Sequence, residues 1–240
     1  MPNGGLIGKA NIPTSTSASG IWRIEETRDA VKNSIWPGGR IPPITTNLLA
    51  VYDGLSWDGT KWNDIYGSYH ATTIKGTITT ADVTGNGATQ TFRTLQGATT
   101  AGLRFPAGIL PSTYTLFHVT RTTGGTRSRI VTGVGNNWLS GHWGGGTGVA
   151  YHEGWLTGQP DTHGNNWFIS TDQNSLYRSN GITRGSSGGI ASTSLTINDG
   201  NFAEYSDWQC AFVCVYSGTM SATDYAAMEL WISRKFGITI

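Results

Sequence analysis

The sequence has little charge, little cysteine and no long hydrophobic run. Charged residues make up only 13% of its 240 residues, and 16 basic side chains nearly balance 15 acidic ones. The net charge of +1 gives no general attraction to nucleic acid or to anionic lipid. No apolar stretch approaches the roughly 20 residues that a membrane-spanning helix needs. We therefore expect no nucleic-acid partner and no membrane insertion.

The two cysteines, Cys210 and Cys214, lie in an apolar run that predicts a buried strand. In extended chain they would lie about 13 Å apart on one face, which is too far for a disulfide. The sequence also lacks a CxxC redox motif and a zinc-binding pattern of cysteine and histidine. We therefore expect inert core thiols and no metal or other cofactor.

The sequence is rich in glycine, with 34 residues, and in threonine, as is typical of chains with many strands and turns. Short β-prone runs alternate with Gly, Asn, Asp and Ser clusters over most of the chain, and two of these runs are apolar on both faces. The pattern predicts an all-β fold, a two-sheet antiparallel sandwich of jelly-roll type. The clearest predicted strands are residues 114–122, 127–134, 148–156, 167–172 and 206–216.

Apolar residues recur at the spacing of an α-helix near both ends of the chain. Apolar residues recur at this spacing between Gly20 and Pro37, which predicts a short amphipathic helix after an extended arm. We assign residues 1–40 to this arm and helix and residues 41–240 to the β domain. A capping pattern at Ser221 and Asp224, with Gly237 as a stop, predicts one short C-terminal helix.

Two segments of the β domain carry a family resemblance. Residues 48–56, LLAVYDGLS, followed by residues 62–67, WNDIYG, resemble the opening of laminin-G-like, concanavalin-A-like jelly-roll domains. Residues 212–224, which lead from an apolar strand into the C-terminal helix, resemble the closing strand and turn of that family. The resemblance implies a concanavalin-A-like jelly roll over residues 45–240 and extends the fold expectation to that family.

The N-terminal segment has a second resemblance. Residues 19–26, SGIWRIEE, with Trp36-Pro37, are similar to a segment found in structural proteins of tailed bacteriophages, especially cyanophages. The resemblance implies a virion protein assembled in the host cytoplasm and exposed on the particle, which agrees with an N-terminus that lacks the pattern of a signal peptide. It implies attachment to other virion proteins through Trp22, Ile24, Ile35 and Trp36. Because sites on a virion are symmetric, we also expect a homo-oligomer and favour a trimer. The alternative is that this helix packs on its own domain.

Acidic residues do not form a recognisable hydrolase pattern. Glycosidases need two carboxylates a few ångströms apart across the scissile bond. Glu204 and Asp207 would point to opposite faces of a strand, and Asp53, Asp58 and Asp64 lie in turn-like segments, where carboxylates usually accept backbone hydrogen bonds. The resemblance to laminin-G-like domains, some of which bind calcium, leaves calcium as an alternative at residues 161–165 and 198–201, which carry suitable oxygen ligands, but Asx turns explain both segments without a metal. We predict no catalytic site and no metal site.

Aromatic and histidine side chains are concentrated between residues 138 and 178. Sugar rings stack on aromatic planes, and neighbouring amides and hydroxyls bind their OH groups. This pattern predicts a glycan-binding site, with Trp143 as the first residue to substitute. The alternative for each aromatic residue is that it fills the core. The candidate residues are Trp138, His142, Trp143, Tyr151, Trp155 and Trp167.

The sequence therefore indicates a non-enzymatic phage virion protein, a tail-associated adhesin or a capsid decoration, that presents a lectin-like jelly roll to host-surface polysaccharide. A free-standing carbohydrate-binding module is the alternative, and a glycoside hydrolase or lyase is a more remote one.

Overall fold

The computed structural model describes residues 39–158, 160–186 and 194–240, together with Glu25 and Gly189. The chain divides into two compact units, Met1–Pro42 and Pro43–Ile240. In the first unit Glu25 is helical and exposed. The rest of the predicted N-terminal helix lies outside the described residues, as do the predicted attachment residues Trp22, Ile24, Ile35 and Trp36.

Short strands dominate the second unit, as its glycine-rich and threonine-rich sequence predicts. In chain order the strands are β1 Leu48–Asp53, β2 Thr73–Lys75, β3 Thr79–Gly85, β4 Ala88–Gly97, β5 Gly102–Arg104, β6 Tyr114–Thr122, β7 Val131–Val134, β8 Trp138–Trp143, β9 Gly146–His152, β10 Phe168–Gln173, β11 Leu176–Ser179, β12 Ile182–Gly185, β13 Ser194–Ile197 and β14 Trp208–Ser217. A short 3-10 turn, Gly54–Ser56, follows β1, and one helix, α1, spans Ala222–Phe236.

The strands form two antiparallel sheets. The eight-stranded sheet has the order β12-β11-β10-β6-β14-β4-β3, with β1 also paired to β14. The six-stranded sheet has the order β2-β5-β13-β7-β8-β9. Hairpins join some neighbours, such as β8 and β9, but others, such as β6 and β14 or β5 and β13, are distant in sequence, as expected when the chain crosses repeatedly between two layers. The arrangement confirms the predicted all-β, two-sheet sandwich of jelly-roll type with one helix near the C-terminus.

Strand β14 lies at the centre of the larger sheet and contains a bulge. Its first half pairs with β4 and its second half with β1, while β6 pairs along its whole length. The register shifts between Cys210 and Phe212, so Ala211 is an extra residue. Because of the bulge, Cys210 faces the interior and Cys214 faces the opposite side, which corrects the expectation that both lie on one face. Both thiols are free and buried, as predicted.

The space between the sheets has an apolar part and a polar part. The apolar part includes Leu95, Leu103 and Val213, which are fully buried. In the polar part, side chains of β6, β8 and β10 meet through hydrogen bonds instead. The His118 ring nitrogens lie 3.0 Å from Thr120 Oγ1 and 3.1 Å from Ser140 Oγ. These groups are fully buried, so their partners lie within the protein. His142 joins the network through Nε2, 3.1 Å from Thr120 Oγ1, while its buried Nδ1 has no hydrogen-bond partner among the described residues.

The helix α1 begins and ends where the sequence predicts. The side chain of Ser221 accepts a hydrogen bond from the Asp224 amide, and Gly237 ends the helix in the left-handed region, at φ 65°. The helix buries Met228, Ile232 and Phe236. Within the described part of the chain, no helix combines the length and the apolar character needed to cross a membrane.

The segments that carry the jelly-roll resemblance have a structural role. Asp53 caps the 3-10 turn, and its carbonyl accepts a hydrogen bond of 2.7 Å from the indole of Trp62, which is fully buried. The buried carboxylate of Asp64 accepts from the backbone amides of Val51, Tyr66 and Tyr69. These contacts confirm the expectation that turn carboxylates here satisfy backbone donors.

Candidate functional site

The structure divides the six predicted glycan-binding residues into two groups. Trp138, His142 and Trp167 are no more than 1% exposed, so no sugar ring can reach them. Trp138 stacks on His152 with ring centroids 5.1 Å apart, and Trp167 packs on Phe92 at 5.1 Å. This placement corrects the sequence interpretation for these three residues, because their large rings fill the fold instead of facing solvent.

The other three residues, Trp143, Tyr151 and Trp155, come together at the surface. They border a cleft of about 240 Å³ on the outer face of the six-stranded sheet, beside the β8–β9 hairpin. Ligand pockets for drug-sized molecules usually measure roughly 300 to 1,000 Å³, so a cleft of this size suits about one sugar ring. We call it the aromatic cleft. Its lining residues are Arg129, Asn137, Leu139, Trp143, Tyr151, Trp155, Phe202 and Glu204.

A tight turn after β9 places Trp155 at the mouth of the cleft. Glu153 adopts a left-handed conformation, at φ 56°, and the amide of His152 donates to the carbonyl of Gly154. The chain thereby folds back, so that Trp155 forms an isolated β-bridge with Tyr151. The turn is held to the neighbouring strand because the Glu153 side chain accepts from the backbone amide of Asn137 at 2.6 Å.

The three rings form two perpendicular contacts. The centroid of the Trp155 ring lies 5.2 Å from that of Trp143 and 5.1 Å from that of Tyr151, with interplanar angles of 69° and 77°. Edge-to-face pairs of this kind stabilise ring orientation. Trp155 stays 40% exposed although it makes both contacts. An indole that is fixed at its edges and open on the remaining surface can act as a stacking platform.

A charged group closes the other end of the aromatic cleft. Arg129 Nε donates to Glu204 Oε2 at 2.5 Å, and the indole nitrogen of Trp143 donates to the same oxygen at 3.1 Å. The Arg129 guanidinium also donates to Asn137 Oδ1 at 2.9 Å and lies over the Phe202 ring, 4.6 Å from its centroid. Both donors to Glu204 use Oε2, so Oε1 has no hydrogen-bond partner among the described residues.

Sequence reasoning missed Arg129, Phe202 and Glu204 as members of this site. The segment 202–205 reaches the cleft because the Arg129 amide donates to the Glu204 carbonyl and Arg129 forms a parallel bridge with Tyr205. These contacts join residues about 75 positions apart in sequence. No local pattern signals such a contact, because the pairing depends on the sheet that carries it.

The two segments considered for calcium use their carboxylates in ion pairs. Asp161 Oδ1 lies 2.6 Å from the Arg127 guanidinium, which holds the pKa of this carboxyl below its usual value. Asp199 lies 2.6 Å from Arg104 and 3.3 Å from Lys75. Across residues 39–158, 160–186 and 194–240, no group of three or more His, Cys, Asp or Glu side chains could hold a metal ion.

Comparison with known proteins finds matches by structure but none by sequence. No family model and no curated protein sequence matches this chain. Domain 4 of AbnA, an extracellular GH43 arabinanase of Geobacillus stearothermophilus solved with arabinotriose, superposes with a TM-score of 0.58 at 16% identity, over 76% of this chain and 98% of that domain.

In two further neighbours, the match covers only part of the neighbour's chain. The binding domain of Paraclostridial Mosquitocidal Protein 1 superposes with a TM-score of 0.51 at 14% identity, over 78% of this chain and 52% of that one. Trypanosoma rangeli sialidase gives 0.53 at 14% identity, over 90% of this chain and 38% of the sialidase. At these identities the likeness shows that the chain shares a jelly-roll-like β-sandwich fold with these proteins.

Proposed function

We propose that this protein binds carbohydrate through the aromatic cleft and does so without catalysing a reaction. The observation that carries the proposal is the exposed Trp155 indole, held at its edges by Trp143 and Tyr151, at the mouth of a cleft that ends in a polar group. One apolar plane beside a few oriented donors and acceptors is the arrangement that a sugar ring requires.

The chemistry of the cleft matches a neutral sugar. The apolar face of a ring stacks on Trp155, and a ring hydroxyl donates to Glu204 Oε1, the carboxylate oxygen that no described residue occupies. Arg129 holds Glu204 in place through Oε2, so the acceptor is oriented before the ligand arrives. Preorganisation of this kind reduces the side-chain entropy lost on binding.

The same geometry favours binding over hydrolysis. Among the described residues that line the cleft, Glu204 is the single carboxylate, and it is ion-paired with Arg129. Two-carboxylate glycosidases place an acid and a base or nucleophile roughly 5 to 9 Å apart on either side of the bond. The proposal is supported by the fold neighbours, one of which was solved in complex with arabinotriose.

We also propose that the domain is presented on a phage virion, as an adhesin or decoration protein that binds host-surface polysaccharide. The support for this location is the resemblance of residues 19–26 to phage structural proteins. Residues 1–40 would attach the protein to other virion proteins, and we propose a homo-oligomer, a trimer, as the assembled form. A free-standing carbohydrate-binding module would use the same cleft without the attachment.

Substitution of Trp155 tests the binding proposal. We expect wild-type protein to bind one or more neutral oligosaccharides on a glycan array and by calorimetry. We expect Trp155→Ala to lose at least about fivefold in affinity, because stacking of a desolvated ring contributes about 1 kcal/mol or more. Trp231→Ala is the matched control, since this half-buried indole lies on α1, outside the cleft. Equal affinities of wild type and Trp155→Ala, or no sugar bound at all, would contradict the proposal.

Deletion of residues 1–40 tests the virion proposal. We expect the remaining chain to fold and to retain sugar binding, because it contains both sheets and the aromatic cleft. We expect it to be absent from particles that incorporate the full chain. Particle incorporation is measured by immunoblotting of purified virions. Incorporation of the truncated protein at the level of the full chain would show that attachment does not depend on this segment.

A further inference from the structure

A second recess lies on the outer face of the eight-stranded sheet, on the opposite side of the sandwich from the aromatic cleft. It measures about 420 Å³ and is lined mainly by polar side chains and backbone. We call it the polar groove. Its lining residues are Thr77, Thr79, Gln96, Gly97, Ala98, Arg121, Thr123, Gly124, Asp207, Trp208 and Gln209.

Four of these side chains form a row across four adjacent strands. Thr79 of β3 is paired with Gln96 of β4, and Gln209 of β14 is paired with both Gln96 and Arg121 of β6. Residues paired in this way lie on the same face of a sheet, about 4.8 Å apart between strands. The interior face of the same strands carries Leu95, so the row faces outward.

Hydrogen bonds fix the orientation of the row. Arg121 Nε donates to Gln209 Oε1 at 2.7 Å, and Gln209 Nε2 donates to Gln96 Oε1 at 2.7 Å. Gln96 Nε2 donates in turn to Thr79 Oγ1 at 3.3 Å. Each carboxamide nitrogen has two N–H groups, so each glutamine has one N–H that the row does not use; Gln96 is half-buried, and Gln209 is 6% exposed.

Arg121 is the charged member of the row, and the described residues give its guanidinium no ion pair. NH1 donates to the carbonyl of Asn165 at 3.0 Å, and the guanidinium lies 5.6 Å from the centroid of the Trp167 ring. These contacts use two of its five N–H donors when the bond to Gln209 is included. Asp207 lines the same groove, but its carboxylate lies against Gly124, beyond ion-pair distance of Arg121.

A half-buried guanidinium without a carboxylate partner favours an anionic ligand, because ion pairing offsets the cost of its partial burial. The groove offers no exposed aromatic plane and no apolar pocket, since Trp208 is fully buried. Its other groups are amides and hydroxyls, which suit ring hydroxyls better than the side chains of a peptide. The geometry points to an acidic saccharide, and we propose that its carboxylate binds Arg121 and its hydroxyls bind Gln209 and Gln96. This site does not depend on the aromatic cleft.

Titration with a matched pair of sugars tests the site. The probes are a galacturonate tetrasaccharide and its methyl ester, which keeps the hydroxyls and removes the charge. We expect the acidic form to bind at millimolar concentration or below and to shift the NMR signals of the Gln96 and Gln209 side-chain amides. We expect the ester to bind at least about tenfold more weakly, because it cannot form the charge-assisted pair with Arg121.

Substitution of Arg121 tests whether this residue binds the carboxylate of the sugar. We expect Arg121→Met, which keeps an apolar stem against Trp167, to weaken binding of the acidic sugar at least about tenfold. Arg93→Met is the matched control, because Arg93 pairs with exposed Asp82 outside the groove. Trp155→Ala should bind the acidic sugar as wild type does, whether or not the aromatic cleft binds neutral sugars. The proposal would be overturned if the acidic sugar and its ester bind with equal affinity, or if Arg121→Met binds the acidic sugar as tightly as wild type does. It would also be overturned if neither sugar binds.

Discussion

Acidification from pH 7 to pH 4.5 is expected to lower the free energy of unfolding by several kcal/mol, through the fully buried His118 and His142 and the partly buried His163. Burial lowers the pKa of His118 to about 3 and that of His163 to about 4, and it holds the pKa of His142 well below its usual value. The positive charge of nearby Arg127 lowers the His142 pKa further, and protonation of His118 or His163 would lower it as well. The folded protein therefore keeps these imidazoles neutral at a pH where free histidine is protonated.

The direction of the effect follows from proton binding. Below about pH 6.5 the histidines bind protons in the unfolded chain but stay unprotonated in the folded chain. The free energy of unfolding therefore falls as the pH falls, by up to about 1.4 kcal/mol per pH unit for each such histidine. The loss continues until the pH reaches the pKa of the folded state. His118 and His142 alone give up to about 3 kcal/mol per unit, a large share of a domain's usual 5 to 15 kcal/mol.

Urea unfolding at a series of pH values measures this dependence. The slope of the unfolding free energy between pH 6 and pH 5 should correspond to an uptake of about two protons or more on unfolding. His118→Gln should reduce that slope by about one proton, whatever it does to stability at pH 7. A flat profile across this range would show that the histidines are hydrated or protonated in the folded protein.

Removal of the Asp172 side chain is expected to be the most damaging single substitution outside the apolar core. Asp172 is fully buried and accepts a hydrogen bond of 3.0 Å from the hydroxyl of Tyr114. His152 Nε2 lies 3.2 Å from Asp172, and the Trp138 indole donates to the Tyr114 hydroxyl at 3.2 Å. Asp172→Ala leaves the buried groups of Tyr114 and His152 without their partner, at a cost of about 3 to 5 kcal/mol.

Two further variants calibrate the Asp172 prediction. Asp172→Asn keeps the shape and part of the hydrogen bonding, so we expect it to be less harmful and to allow measurement if the alanine variant does not fold. Asp82→Ala removes an exposed carboxylate paired with Arg93 and should cost less than about 1 kcal/mol. Urea unfolding at pH 7 compares all three. If Asp172→Ala costs no more than Asp82→Ala, the buried network does not contribute to stability.

Local sequence signals predicted several elements well. Ser221 and Gly237 mark the ends of α1 because capping depends on the chemistry of one or two residues. Strands β6 and β14 were predicted from continuous apolar runs, which are typical of strands covered on both faces. The aromatic concentration between residues 138 and 178 includes the β8–β9 hairpin beside the cleft, although the hairpin itself was not predicted. These features depend on neighbours in the sequence, so the sequence alone reveals them.

Other features depend on register and on distant contacts. The bulge at Ala211 turns Cys214 to the opposite face, and one inserted residue leaves no clear mark in the composition. Whether an aromatic residue such as Trp138 faces the core or solvent depends on which face of its strand meets the other sheet. Arg129 and Glu204 meet only after the sheet has formed, so their part in the cleft was not predictable.

The position of bound sugar on the tryptophans tests the central claim most directly. Indole N–H signals in an NMR spectrum report separately on each of the 10 tryptophans. During titration with a neutral oligosaccharide that binds the protein, we expect the signals of Trp143 and Trp155 to shift, and those of buried Trp62, Trp138, Trp167 and Trp208 to stay in place. Saturable binding that leaves Trp143 and Trp155 unmoved would contradict the assignment of the aromatic cleft as the glycan site.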